Sequence, residues 1–294
     1  MMRKRMIGLF LLPALVFYIG FVIAPAIQAI VLSFFDTSGF SDARRFVGLG
    51  NYAKLLGDEV FWKAGANTLL IMVIGGVAVF LLAFGYTMMI NSGIRWRKLF
   101  RAAIFMPNIV AVVAITSFWS FLFMPRYGLL FSLLKHLQLD TLAGIAWTAP
   151  ENVFWSMLLG LVWLSSGFFM ILIMAGADKI PSDIYEAARL DGAGHVETFR
   201  HITLPMIWDV LAITYVLWLI QALKTMEFPY AFGGPNIDSN LYTTAIYLYV
   251  QGFGQRQPIY ALGYATAIGV VMLVVTTVIV LACRRLMRRE RLEY

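Results

Sequence analysis

The sequence predicts an all-α, polytopic membrane protein, a bundle of six transmembrane helices in a single domain over residues 1–294. Three observations carry that reading. First, 61% of the 294 residues are hydrophobic and 13% are charged, about half the charge of an ordinary soluble domain. The mean hydropathy is correspondingly high, at +0.79. Second, the chain contains six apolar runs near the about 20 residues that cross a bilayer as a helix. Third, its Lys and Arg residues gather in alternate connecting segments.

The six runs are 7–34, 66–90, 102–124, 154–177, 207–222 and 260–283. The first follows Arg3-Lys4-Arg5, as the apolar core of a signal peptide would. It is much longer than such a core, which runs to about 15 residues, so it reads as a retained span, with a cleaved signal the alternative. Pro25 is expected to bend that helix or end it near the outer surface. The fifth run is the shortest.

Of the 23 basic residues, 15 fall on one side. They are Arg3, Lys4 and Arg5; Arg95, Arg97, Lys98 and Arg101; Lys179, Arg189 and Arg200; and Arg284, Arg285, Arg288, Arg289 and Arg291. The positive-inside rule places both termini and the segment 178–206 in the cytoplasm. The net charge of +7 is then explained by topology and contact with anionic headgroups, and a nucleic-acid partner is not indicated. A single cysteine, Cys283, excludes an intrachain disulfide.

No Lys or Arg lies inside any span. Voltage sensors, proton relays and many ion-coupled carriers bear the cost of an intramembrane charge because it is their mechanism. Here the energy source is expected on a partner. Asp209, at the start of the fifth span, reads as an interfacial carboxylate favoured by a helix N-terminus.

The polar segment 178–206 stands out between two spans. Pro181 and Ser182 suit a helix start, with Ser182 as the cap. Asp191-Gly192 is a turn dipeptide, and Gly192 suits a left-handed helix end. A second short helix is expected from about Gly194, with Val196, Phe199 and Thr203 on one face, and Pro205 in the first turn of the fifth span. Ala187, Ala188, Ala193 and the glycines permit close approach of another backbone, and Phe199 is a bulky anchor of the kind that fills a partner's pocket.

The run Glu186-Ala187-Ala188, then Asp191-Gly192-Ala193, Phe199, Ile202, Leu204 and Pro205, resembles the EAA loop of binding-protein-dependent ABC importer permeases. Residues 46–52, Phe61-Trp62, Asn67-Thr68, Gly233-Gly234-Pro235, Tyr247 and Gly263-Tyr264-Ala265 resemble the carbohydrate, maltose-type branch of that family. Asp209 stands where that family often has a second proline, and there is no room for a large second periplasmic domain.

The resemblance implies a cytoplasmic coupling helix seated in a cleft of a separate ATPase. Glu186, Ala187, Ala188, Asp191, Gly192, Ala193, Phe199, Leu204 and Pro205 would form it. The expected assembly adds a second homologous permease, two ATPase subunits and an extracytoplasmic solute-binding protein in a bacterial inner membrane. No GxxxxGK[ST] loop occurs in this chain, so ATP and Mg would be bound by the partner ATPase and this subunit is not an enzyme. For a sugar pathway, which combines aromatic faces with a few polar groups, the candidates are Asn108, Trp119, Trp163, Ser165, Ser166, Tyr215, Trp218 and Gln221. Trp218 and Gln221, three apart, are expected to share a helix face. A sugar phosphate, a polyol or another non-carbohydrate solute is the alternative cargo, and a secondary carrier is the less favoured alternative. His136, His195 and His201 form no metal-binding pattern.

Overall fold

The computed structural model describes residues 2–39, 44–255 and 259–287; Arg288, Arg289 and Arg291 lie outside them. Among the described residues, five helices are long and apolar enough to cross a membrane. They are α1 (Phe10–Leu32), α2 (Glu59–Asn91), α5 (Val153–Ala177), α7 (Trp208–Asn236, whose regular part ends at Leu223) and α9 (Leu262–Leu286). The third apolar run is instead a bent pair, α3 (Arg97–Ile109) and α4 (Val112–Leu122), with 100° between them. The remaining labelled helices are α6 (Ser182–Leu190) and α8 (Thr244–Phe253).

One alternative for Pro25 falls away, and the expectation for the third run needs correction. Pro25 does not end α1. A π-helical turn, Ile19–Ile23, precedes it, and the α-helix resumes at Ala24 and continues through Pro25 to Leu32. The third run is not one straight helix. Pro107 lies in a 3₁₀ turn, Met106–Ile109, after which Val110 (φ −80°, ψ 143°) is extended. The missing Pro107 N–H and the β-branched pair Ile109-Val110 break the ladder there.

The chain divides into two compact units. The first comprises residues 1–61 and 244–275. None of the spanning stretch of α1 is buried. After α1 comes a two-residue antiparallel ladder, Phe35–Asp36 with Arg45–Phe46, the one departure from an all-helical chain among the described residues. Asn51 donates to the carbonyls of Ser33 (2.8 Å) and Phe35 (3.0 Å) and so fixes the turn out of α1. Gly263 lies under that turn: a Cβ there would stand 1.9 Å from the Phe35 carbonyl oxygen.

Asp58 is the polar centre of this unit. Its Oδ1 accepts from the N–H groups of Val60 (3.0 Å) and Phe61 (3.1 Å), capping α2. Its Oδ2 accepts from the hydroxyls of Tyr247 on α8 and Tyr264 on α9, both at 2.5 Å. Burial works to raise the carboxyl pKa, but these four hydrogen bonds outweigh it and hold Asp58 below the usual carboxylate value. Burial and the neighbouring Asp58 push the Tyr247 phenol up. Lys54 lies 4.6 Å above the Tyr264 ring, a cation–π contact on the same cluster.

The second unit comprises residues 62–243 and 276–294. Its core is α5, two-thirds of whose spanning stretch is buried. Trp218 of α7 fills the centre, 1% exposed. Its Nε1 donates to the Met72 carbonyl at 2.9 Å, which belongs to a π-helical turn in α2, Ile71–Gly75. Gly76 makes room, since a Cβ there would stand 2.5 Å from Trp218 Nε1. Nearer the start of α2, Asn67 donates to the Asn240 and Tyr242 carbonyls (2.8 and 2.9 Å). Thr243 Oγ1 donates to the Thr225 carbonyl at 2.6 Å and closes the base of the segment between them.

Candidate functional site

The segment after α5 folds as two helices around a tight turn. α6 ends in a Schellman motif: Ala193 N–H donates to the Ala188 carbonyl (2.9 Å) and Gly192 N–H to that of Arg189 (3.1 Å), with Gly192 at φ +82°. This satisfies carbonyls that a helix end leaves open, and it explains why Gly192 and Ala193 follow Ala188 at that spacing. The start of α6 departs from expectation. Pro181 occupies the cap position in extended backbone, and no side chain caps the helix. The Ser182 hydroxyl turns instead to the Asp183 carboxylate at 3.3 Å.

The second helix begins at His195, where the Gly194 N–H donates to Glu197 Oε2 at 3.0 Å. From Phe199 to Thr203 it widens into a π turn and continues through Leu204–Met206. It breaks at Ile207 (φ −99°, ψ 18°), and α7 starts at Trp208. Pro205 therefore lies in the last turn before the break, not in the first turn of α7, while Asp209 does lie in that first turn. The two short helices are tied by the Tyr185 and Thr203 hydroxyls, 3.2 Å apart.

This geometry sorts the residues of the segment into two groups. Phe199 is 8% exposed and meets the Phe84 ring of α2 edge-on, with centroids 5.9 Å apart. It is not free to fill a partner's pocket; it attaches the segment to the bundle. Ala188 is buried too, so its small size serves packing inside the chain. Val196 is exposed and leaves the face that Phe199 and Thr203 bury. The open face carries Glu186, Ala187, Leu190 and Asp191. The sequence groups Leu190 with Ile184, Tyr185, Ala187 and Ala188 in one amphipathic run, but Leu190 is 89% exposed. It lies on α6 opposite the half-buried Ile184 and the buried Ala188.

The pathway candidates separate in the same way. Asn108 sits in the 3₁₀ turn that breaks the third span, its Nδ2 3.4 Å from the Phe105 carbonyl. Gly167 of α5 admits this turn: a Cβ there would stand 2.3 Å from the Ile104 carbonyl oxygen and 3.1 Å from Asn108 Nδ2. Trp119 on α4 meets Trp163 on α5 edge-to-face at 5.7 Å and stacks on Phe123 at 5.4 Å. Phe123 in turn lies 6.1 Å from Trp147. The indole N–H groups of Trp119 and Trp147 are buried without a hydrogen-bond partner, an arrangement that needs an explanation in a folded protein.

The other candidates are not brought into this cluster. Ser166 is buried and donates to the Trp163 carbonyl of its own helix at 2.8 Å; Ser165 is buried as well. Tyr215 packs on Phe80 at 5.8 Å. Trp218 is a core residue with its N–H satisfied, whereas Gln221 is exposed. The two lie only about 60° apart around α7, but the edge of the core falls between them, so Trp218 is buried and Gln221 is not.

The family model for the inner membrane component of binding-protein-dependent transport systems matches residues 80–292. This chain belongs to that family. It is similar to the probable ABC transporter permease protein YurN of Bacillus subtilis, at 34% identity over 91% of each chain. It also resembles the diacetylchitobiose uptake system permease protein NgcF of Streptomyces coelicolor, at 33% identity over 90% of this chain and 77% of that one. The structure superposes on a bacterial ABC transporter involved in import of the acidic polysaccharide alginate, with a TM-score of 0.82 and 25% identity, covering 98% of this chain and 96% of that one. The chain is thus a permease subunit of an ABC importer and not an enzyme, and its helices form the fold of such a subunit.

Proposed function

We propose that this permease forms half of a translocation pathway for a neutral mono- or oligosaccharide and draws its energy from a separate ATPase docked on α6. The observation that carries the coupling half is the open face of α6. It is a short helix with a closed Schellman end, whose outward side presents Leu190 between Glu186, Ala187 and Asp191. Phe199 fastens its companion helix to α2. Such an element moves as a lever, because its C-terminal end is closed and its base is packed. ATP and Mg would bind only on the ATPase, and closure of two ATPases would rock the spans through two such levers.

The sugar assignment rests on the aromatic cluster of Trp119, Trp163, Phe123 and Trp147. Ring faces suit the C–H patches of a sugar, and the two unpartnered indole N–H groups suit its hydroxyls. Relatives named for diacetylchitobiose and for trehalose and maltose support it. The six apolar runs of the sequence hold no Lys or Arg, which favours a neutral sugar over a sugar phosphate. The wholly unburied α1 supports a second permease as its packing partner, and a solute-binding protein would deliver the sugar from outside. With 15 basic residues on one side, both termini and α6 face the cytoplasm.

The test is ATP-driven uptake of labelled oligosaccharides into proteoliposomes holding the assembled complex, with the binding protein inside or outside. Uptake that needs ATP on the α6 side supports the reading. Uptake driven by an ion gradient without ATP contradicts it.

A further inference from the structure

One feature of the second unit has no part in coupling or in the aromatic cluster: a groove of about 1140 Å³ between the start of α7 and the end of α9. Its walls are apolar, formed by Ile213, Val216 and Leu217 on α7 and Leu281 on α9. Ile213 and Leu217 are a helical turn apart and exposed, as is Leu281, so they form an open apolar strip along the membrane-spanning part of the chain.

The chemistry changes at the end of the strip. Arg284 and Arg285 line the groove there, opposite Asp209. Both arginines are exposed, and neither is ion-paired among the described residues. Two guanidinium groups against one carboxylate leave the lining with an excess of positive charge. The floor is held in place, because Trp208 Nε1 donates to the Met287 carbonyl at 2.9 Å and pins the end of α9 to the start of α7.

We infer that this groove holds an anionic diacyl phospholipid. The acyl chains lie along Ile213, Val216, Leu217 and Leu281, and the phosphodiester meets Arg284 and Arg285. A monoanionic headgroup matches the charge of the lining. Free phosphate would leave the apolar walls in contact with nothing, whereas a lipid uses both parts of the groove. Guanidinium groups suit the phosphate because their planar fork donates two parallel hydrogen bonds. The lipid would brace the junction between the end of α9 and the start of α7, where the chain leaves the segment that bears α6.

The test uses the assembled transporter in mixed vesicles of phosphatidylglycerol and phosphatidylcholine with matched acyl chains, followed by native mass spectrometry. The wild type is expected to retain one phosphatidylglycerol for each copy of this chain, and inorganic phosphate should not displace it. R284Q/R285Q is expected to weaken that retention by about tenfold or more. Val216→Trp, which fills the apolar strip and leaves the charges intact, should also abolish it. R95Q/R97Q, which removes basic charge elsewhere on the same side, should leave it unchanged. Equal retention of the two lipids, equal loss in R95Q/R97Q, or a disulfide from Val216→Cys to the second permease would overturn the inference.

Discussion

The ring of Phe199 stands edge-on to that of Phe84, 5.9 Å between centroids, and joins the polar segment after α5 to the second span. Burying an aromatic ring at that joint makes the segment part of the bundle. Phe199→Ala should therefore destabilise the chain by about 3–5 kcal/mol and uncouple ATP hydrolysis from uptake. Phe84→Ala should do the same. In a double-mutant cycle the two effects should fall well short of additive, as for residues in contact. Thermal unfolding together with the ratio of uptake to hydrolysis checks this.

Leu190 sits on the open side of α6, 89% exposed. Leu190→Asp should leave the thermal stability of the isolated permease within about 0.5 kcal/mol, as for a surface change. It should nevertheless abolish co-purification of the ATPase. Gel filtration of the co-expressed subunits separates the two effects.

Asp58 holds four donors, and its folded pKa lies below its ordinary value. Its contribution to stability is complete above the unfolded pKa of about 3.9. It is lost as the pH falls through the lowered folded value. Asp58→Asn should cost about 2–3 kcal/mol at pH 7, since hydrogen bonds to a charged acceptor are lost. The difference from wild type should shrink in acid, which melting curves across pH 3–7 on the order of one unit apart would show.

Trp119 and Trp218 make a contrasting pair. Trp119→Phe keeps a ring and removes an unpartnered N–H. It should raise the sugar concentration for half-maximal uptake by about fivefold, the value of one hydrogen bond, with little change in stability. Trp218→Phe removes a satisfied N–H inside the core and leaves the Met72 carbonyl short of a donor. It should cost stability by about 1–3 kcal/mol and leave the apparent affinity unchanged.

The span pattern was readable in the sequence because a lipid-facing helix must be apolar along its length, whatever its neighbours. The break at Pro107 was not, because proline in a span is tolerated or disruptive according to what packs on it. Here Gly167 leaves room for the displaced backbone. The turn at Gly192 was legible, since its chemistry is local. The burial of Phe199 and Ala188 and the exposure of Leu190 depend on which face of the segment meets α2, and no spacing within the segment records that. Trp218 looked like a ligand because a tryptophan in a span carries the same side chain whether it packs or binds. Only its bond to Met72 tells which. The motifs at Asn51, Asn67, Tyr247 and Tyr264 had no local signal of their role, because each joins segments far apart in the chain.

The central claim is that this chain takes its energy through the open face of α6. A photo-crosslinking amino acid at position 190, activated in intact cells, tests it directly. Peptide sequencing of the adduct should identify a single partner that carries a GxxxxGK[ST] nucleotide-binding loop, and the crosslink should fall when Gly192→Pro breaks the Schellman end. An adduct to lipid or to an extracytoplasmic protein, in cells where the permease is folded and inserted, would contradict the account.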